Sequence, residues 1–436
     1  MINYYQSIHF SRWETVRASS PSAPGRAARG SRLQALVVAQ TTSSLGNALQ
    51  AVALAWLILD WTGSGVALGG ALMVTAVAGM LTTVLGGVVA DRFDPRYVMA
   101  CSDAARAALV GLLCVLAATG DGSLTLLYVV LGAFGAAGGI FVPAATSLVP
   151  RVVGPELLHS ANSLTQASPQ VGSVIGAPLA GVLIAAIGTP AAFLLNAVSF
   201  VFSSFLVLRM TRIEIDRESR GITALTRSAG EGLAFVLKQR WLVSLLMVDA
   251  VLGLAAIGPM SVGLPLLARS NPSFGATGLG VLLFGYGAGA LLGMILVGVL
   301  AVSRRPGRQF CLLSIPQGLL LLCITTSPLV VAAGALCLLG ILGGYSVVVY
   351  LALIQSNVPR HLMGRVMSLV GLFSFGLVPL SQALTGVAAT ALGVTWLFIG
   401  AGGVMVGAAV AGMCITPLRT ATIAPTRPTS EASSAP

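Results

Sequence analysis

Twelve apolar runs, each long enough to cross a lipid bilayer as a helix, constrain this chain more than any other feature. They lie near residues 35–59, 65–90, 97–118, 124–148, 160–187, 190–209, 241–267, 277–302, 308–327, 329–356, 364–391 and 395–415. A hydrocarbon core about 30 Å thick asks for about 20 apolar residues per helix; the runs at 190–209 and 308–327 only just reach that length. The charged fraction is 8% and the hydrophobic fraction 56%, whereas a soluble domain carries about 25% charged residues. No water-soluble core hides that much apolar surface, so lipid has to be the solvent. The expected fold is all-α, with twelve transmembrane helices in two pseudo-symmetric six-helix bundles at 32–209 and 241–416. A cytoplasmic linker, 210–240, joins them, and disordered cytoplasmic tails are expected at 1–31 and 417–436. The first tail lacks the basic, apolar and small-residue order of a signal peptide and is expected to be retained.

Charge placement supplies an orientation. With the N-terminus inside, 22 of the 24 Lys and Arg residues fall on inner segments. Arg106 lies within a span, and Arg269 alone falls on an outer loop. Basic residues concentrate on the cytoplasmic side of membrane proteins, so both termini are expected there, in the bacterial inner membrane. The net charge of +11 then serves topology and contact with membrane lipids, and no nucleic-acid partner is expected. Six cysteines lie inside apolar runs and three histidines in the tail and short connections. Neither set has ligand spacing, and no metal or cofactor is expected. A nucleotide-binding glycine loop is missing, and Lys238 is the only lysine, which argues against direct use of ATP.

The two sets of six resemble each other. "VPR" at 149–151 recurs at 358–360, "AGVLIAAIG" ending at Gly188 is echoed by "TGVAATALG" ending at Gly393, and Gly87 matches Gly298. The offsets are close to half the chain, as expected for parallel repeats related by an axis along the membrane normal. Two such halves around a central cavity can rock against each other.

The stretch "GGVVADRFDPR", 86–96, ends the second span. Gly86 and Gly87 lack Cβ atoms, so a neighbouring helix can approach closely. Asp91, Arg92 and Arg96 then stand where the chain leaves the membrane, able to reach a helix terminus or lipid headgroups. Such a contact is expected to hold a cytoplasmic closure that breaks when the halves rock, the plainer alternative being a short polar turn with ordinary positive-inside arginines. Gly87, Asp91, Arg92 and Arg96 resemble the signature between helices two and three of the major facilitator superfamily, and they are the expected conformational latch. The resemblance extends over nearly the whole chain through its twelve spans, central linker and half repeat. "W…TGS" at 56–64, Asp103 with Arg106, "VPR…N" reaching Asn162 and "GRVMS" at 364–368 make it similar to the enterobactin-exporter and macrolide-efflux branch. In the second half Val302 and Ser303 replace the acid–arginine pair, leaving unequal latches. "GSVIGAPLAG" at 172–181 partly matches a fifth-helix pattern associated with export, with Pro178 offset.

Charges inside spans are functional candidates. Asp103 and Arg106 are three residues apart on one helix face, either a structural pair or part of a coupling network. Asp249 lies about 13 Å along its helix from Arg240 with no basic residue near it in sequence. It is a candidate proton carrier, a ligand for a cationic substrate, or a structural residue bonded to a neighbouring helix. Polar residues at helical spacing suggest the cavity wall: Gln40, Ser43, Ser44 and Asn47 in the first span, and Asn162, Gln166, Gln170 and Ser173 in the fifth. Tyr286, Tyr345, Tyr350 and Gln382 are further substrate-binding candidates, and hydrogen bonds between helices are the plainer role for each. Four tryptophans, Trp56, Trp61, Trp241 and Trp396, fall at span ends as headgroup-belt residues.

These features lead to a secondary transporter rather than an enzyme. It is expected to act as a monomer, exporting a small amphipathic or cationic compound such as a drug, siderophore or secondary metabolite by proton antiport. Import of a small metabolite on the same scaffold is the main alternative, and a non-transporting receptor a more distant one.

Overall fold

A computed structural model describes residues 23–120, 122–153, 158–210, 230–231, 233–300, 302–359 and 361–422. It places twelve helices long and apolar enough to span a membrane. They are α1 (Ala23–Thr62), α2 (Gly65–Arg92), α3 (Pro95–Thr119), α4 (Leu124–Val152), α5 (Leu158–Ile187) and α6 (Thr189–Arg209). After the linker come α7 (Arg240–Ser270), α8 (Gly275–Leu296), α9 (Pro306–Cys323), α10 (Leu329–Asn357), α11 (Met363–Leu392) and α12 (Val394–Cys414). The tail expected at 1–31 is corrected at its end, because α1 already begins at Ala23. Most of the expected linker and the far end of the C-terminal tail lie outside the described residues. Within the linker, 230–231 and 233–238 are helical.

The helices are amphipathic in reverse. α6 buries Asn196, Ser199, Ser203 and Ser204 while exposing Leu194, Val198, Val201 and Phe205. In water this arrangement would be unstable. In lipid it is required, because polar side chains bond between helices and apolar ones meet acyl chains. Buried Asn196 accordingly donates to Gln50 of α1 at 2.5 Å, and Ser204 donates to the Ala100 carbonyl of α3 at 3.1 Å.

The half repeat is visible in which helices touch. In the first half α1 packs on α5 and α6, α2 on α4, and α3 on α4 and α6; in the second α7 packs on α11 and α12, α8 on α10, and α9 on α10 and α12. Small residues set the closest approaches. A Cβ on Gly135 or Gly139 of α4 would strike the backbone of Thr75 or Gly79 in α2, and one on Gly340 or Gly344 of α10 would strike Tyr286 or Ala290 in α8. The short turns also match: Gly188, between α5 and α6, has φ 86 and ψ 174, and Gly393, between α11 and α12, has φ 84 and ψ 160. That region is essentially restricted to glycine.

Two seams join the halves, α2 on α11 and α5 on α8. In the first, Gly386 rests on the Gly65 carbonyl and Gly69 on that of Gln382; in the second, Gly181 rests on the Ala276 carbonyl and Gly280 on that of Ala177. Each contact has its counterpart under the repeat. All four lie at the end opposite the arginine-rich connections, so the halves close at that end.

Two helices are broken. In α7 a π-helical turn at Pro259–Gly263 interrupts the α-helix. Ser381 of α11 fills the break, accepting from the Gly258 N–H at 2.8 Å and donating to the Leu254 carbonyl at 2.7 Å. α11 itself divides into Met363–Gly376 and Val378–Leu392.

Candidate functional site

The seams leave room between the halves toward the arginine-rich end. On the first-half side lies a cavity of 410 Å³, lined by Gln40, Ser44 and Asn47 of α1, Asn162 and Gln166 of α5, and Phe141 of α4. The α1 positions are spaced so that their side chains share one helix face. α5 shows the same rule, and its next polar turn, Gln170, belongs to a second cavity of 380 Å³ on the other side. Four residues of helix rise about 6 Å, so α5 joins the two walls. The expected polar faces of α1 and α5 thus meet at one place.

Arg106 of α3 forms part of the first wall. Its guanidinium pairs with Asp103 one turn back and lies over the rings of Phe141 and Phe200, 4.5 and 4.4 Å from their centroids. Asp103 is fully buried and also accepts from Ser203 of α6 at 2.6 Å. The pair therefore ties α3 to α6 and places a fixed cation at the cavity wall. Such a pair, desolvated on both sides, is helped by the Ser203 hydrogen bond to the carboxylate and by the two phenyl rings against the guanidinium.

Asp249 of α7 lines the second wall together with Tyr286 of α8 and Gln317 of α9. Its carboxylate accepts from Ser374 of α11 at 2.8 Å, just before that helix breaks, and the buried Tyr350 hydroxyl stands beside it. Among the described residues it has no basic partner. The first wall therefore holds a neutralised cation and the second an unopposed carboxylate.

Three expected cavity residues stand elsewhere, which corrects that reading. Tyr345 donates to the Leu300 carbonyl at 3.2 Å and accepts from Gln309 at 3.1 Å, tying down the turn after α8 instead of facing cargo. Tyr350 packs on Phe310, with 5.7 Å between centroids, behind the second wall. Gln382 is buried in the α2–α11 seam, with its backbone carbonyl against Gly69.

The residues of the expected latch are dispersed. Gly86 packs on the α4 backbone at Ile140, whereas a Cβ on Gly87 would meet nothing. Arg92 is exposed, and the Asp91 side chain lies outside the described part. Arg96 bonds to Asp94, two residues before it, and to the Met210 carbonyl after α6. Asp94 was not singled out from sequence, although an acid before proline is a recognisable helix cap and it accepts the Arg96 N–H at 3.0 Å. Ser314, Gln317 and Ser346 were also missed; Gln317 lines the second wall and donates to Ser346 at 3.2 Å. The spacing of three between Ser314 and Gln317 within 308–327 was the signal for those two; Ser346 lies in the next span, outside that pattern. Among the described residues, no three His, Cys, Asp or Glu side chains gather to hold a metal ion.

Comparison with known proteins agrees with this architecture. The sequence profile described as Major Facilitator Superfamily matches residues 36–381. The chain is 28% identical to the multidrug efflux pump Tap of Mycolicibacterium fortuitum, over 84% of this chain and 90% of that protein. It is 26% identical to the enterobactin exporter EntS of Salmonella paratyphi A, over 76% of this chain and 79% of that one. Among solved structures, the nucleoside transporter NupG superposes with a TM-score of 0.74 at 12% identity, over 88% of this chain and 98% of that chain. An inward-facing, unoccupied bacterial homologue of the human lysosomal transporter Spinster superposes with a TM-score of 0.66 at 17% identity, over 93% of this chain and 100% of that one. With twelve spans, a duplicated half and a profile match across most of its length, the chain belongs to the Major Facilitator Superfamily and is a multi-pass secondary transporter of small molecules.

Proposed function

We propose that this transporter exports a small amphipathic or cationic compound in exchange for protons. Asp249 carries the reading: an acid in the cavity wall, held by Ser374 and, among the described residues, facing no basic residue. A carboxylate so placed takes either a proton or a cation, and competition between the two couples their movements. The arginine-rich end faces the cytoplasm by the placement of basic residues. The cavity then opens inward, and the glycine seams seal the outer side. Cargo enters from the cytoplasm, the halves rock, and an incoming proton displaces it outside. Efflux by Tap and export by EntS favour this direction over import, and the scarcity of charge in the cavity disfavours polyanions.

The test is reconstitution into vesicles with an imposed pH gradient, following uptake of a fluorescent lipophilic cation. Wild type accumulates the cation when the gradient is present; Asp249→Asn, at equal incorporation and with an unchanged gel-filtration profile, does not. Full gradient-driven uptake by Asp249→Asn overturns proton coupling through this residue.

A further inference from the structure

The two walls differ in chemistry, and the first holds polar atoms without partners. Among the described residues Gln40 Oε1, Ser43 Oγ and Arg106 Nε have no hydrogen-bond partner, and each atom has almost no accessible surface. All three residues line the 410 Å³ cavity. Ser43 and Arg106 are both only 5% exposed. Buried polar atoms are nearly always satisfied by protein, water or ligand, so three such atoms around one cavity are where water or a ligand supplies the missing bonds. Arg106 cannot turn away to find another partner, because Asp103 holds one end of its guanidinium and two phenyl rings hold its faces. Its Nε–H lies just behind the cavity surface, so a small carbonyl or hydroxyl oxygen reaches it with a slight adjustment of the wall and a bulky group does not. The charge of Arg106 is already neutralised by Asp103, so an anion gains little there beyond what a neutral acceptor gains.

We propose that the cavity recognises a bipolar cargo: a protonated amine at Asp249, and at the other end a carbonyl or hydroxyl oxygen that accepts from Arg106 Nε–H. A hydroxyl can also donate to Gln40 Oε1. The aromatic or aliphatic body between them lies along α5, past Gln166 and Gln170, which belong to the first and second cavities. This rests on the export reading only in placing the cation at Asp249. The oxygen subsite is a separate claim about the first wall.

Two arylpiperazines test it, 1-(4-acetylphenyl)piperazine and its 4-isopropyl counterpart, titrated calorimetrically into the purified full-length protein. They share the cation and the shape and differ in the oxygen. Wild type should bind the acetyl compound about tenfold more tightly, the worth of one hydrogen bond to a charged donor. Arg106→Lys keeps a cation beside Asp103 but removes the Nε donor; within that variant the acetyl and isopropyl compounds should bind equally. Gln40→Leu, which removes an unpartnered atom, serves as the variant that folds if Arg106→Lys does not. It should erase the added preference of the 4-(1-hydroxyethyl) analogue, the ligand that can donate. Asp249→Asn should weaken both arylpiperazines equally. Equal binding of the two compounds by wild type, a preference that survives both first-wall variants, or binding of neither compound overturns the oxygen subsite. Equal binding with a loss in Asp249→Asn overturns that subsite while leaving the cation site standing. An unchanged affinity in Asp249→Asn overturns the cation site itself.

Discussion

Asp60 at the end of α1 and Arg269 at the end of α7 form an ion pair across the two halves, and the Arg269 guanidinium lies 5.4 Å from the Trp56 ring centroid. Arg269 is the one basic residue that the sequence places on the outer side, and this contact explains its presence there, since it bridges the halves at the end where the seams are closed. Trp56, expected to be a headgroup-belt residue, is half-buried and supports the pair. Both charges are substantially exposed, so the pair contributes on the order of 0.2–1 kcal/mol.

Arg269→Ala should therefore shift the balance toward the outward-open state by no more than about fivefold. The measurement is the distance distribution between spin labels at Thr62 and Ser273 in a cysteine-free background. Exchanging the two charges, Asp60→Arg with Arg269→Asp, should restore the wild-type distribution. A distribution insensitive to either change would remove the pair from the closure.

The seam glycines should have a stronger effect. Gly386→Val or Gly181→Val drives a side chain into the backbone of the opposite half, at Gly65 or Ala276. Overpacking of this kind costs about 1–3 kcal/mol, and it is relieved when the outer end opens. Both variants should raise labelling of a cysteine at Gln382 by a membrane-impermeant maleimide from outside, about tenfold, with turnover falling in parallel. The repeat makes a further demand: the two variants should act alike, and a large inequality between them would contradict the matched seams.

Asp103 and Arg106 should be separable by stability. Asp103→Ala leaves a guanidinium buried without its partner, a loss of about 3–5 kcal/mol in comparable buried pairs. Thermal unfolding in detergent should show a large drop in midpoint. The double variant Asp103→Leu with Arg106→Met removes both charges and should recover most of that drop. Failure of the double variant to recover would show that Ser203 and the two phenyl rings depend on the charges themselves.

Spans, repeat and wall were legible in sequence for different reasons. The 65–90 run became a span of Gly65–Ala90 because twenty or more apolar residues have no other stable state in lipid. The α8 boundary was misjudged: apolar character runs to 302, but the helix stops at Leu296. Tertiary bonds hold the unwound turn, with Tyr345 reaching the Leu300 carbonyl and Gln309 accepting the Ser303 N–H at 2.8 Å. Hydropathy carries no record of such bonds, and the same gap misplaced Tyr345 in the cavity. Gln40, Asn47, Asn162 and Gln166 were read correctly as sharing faces, since spacing of three and four fixes the face of a helix whatever surrounds it.

Taken alone, the sequence determined the number of helices, their grouping into two like halves and the end that collects arginine, because each follows from local hydropathy, spacing or charge. Which polar face meets which was decided only by packing. The placement of Gln170 and Asp249 in one cavity wall, the pairing of Asp60 with Arg269, and the glycine contacts of the two seams all join residues more than 70 positions apart. Their geometry depends on how far small side chains let two backbones approach, and a one-dimensional pattern does not contain that distance.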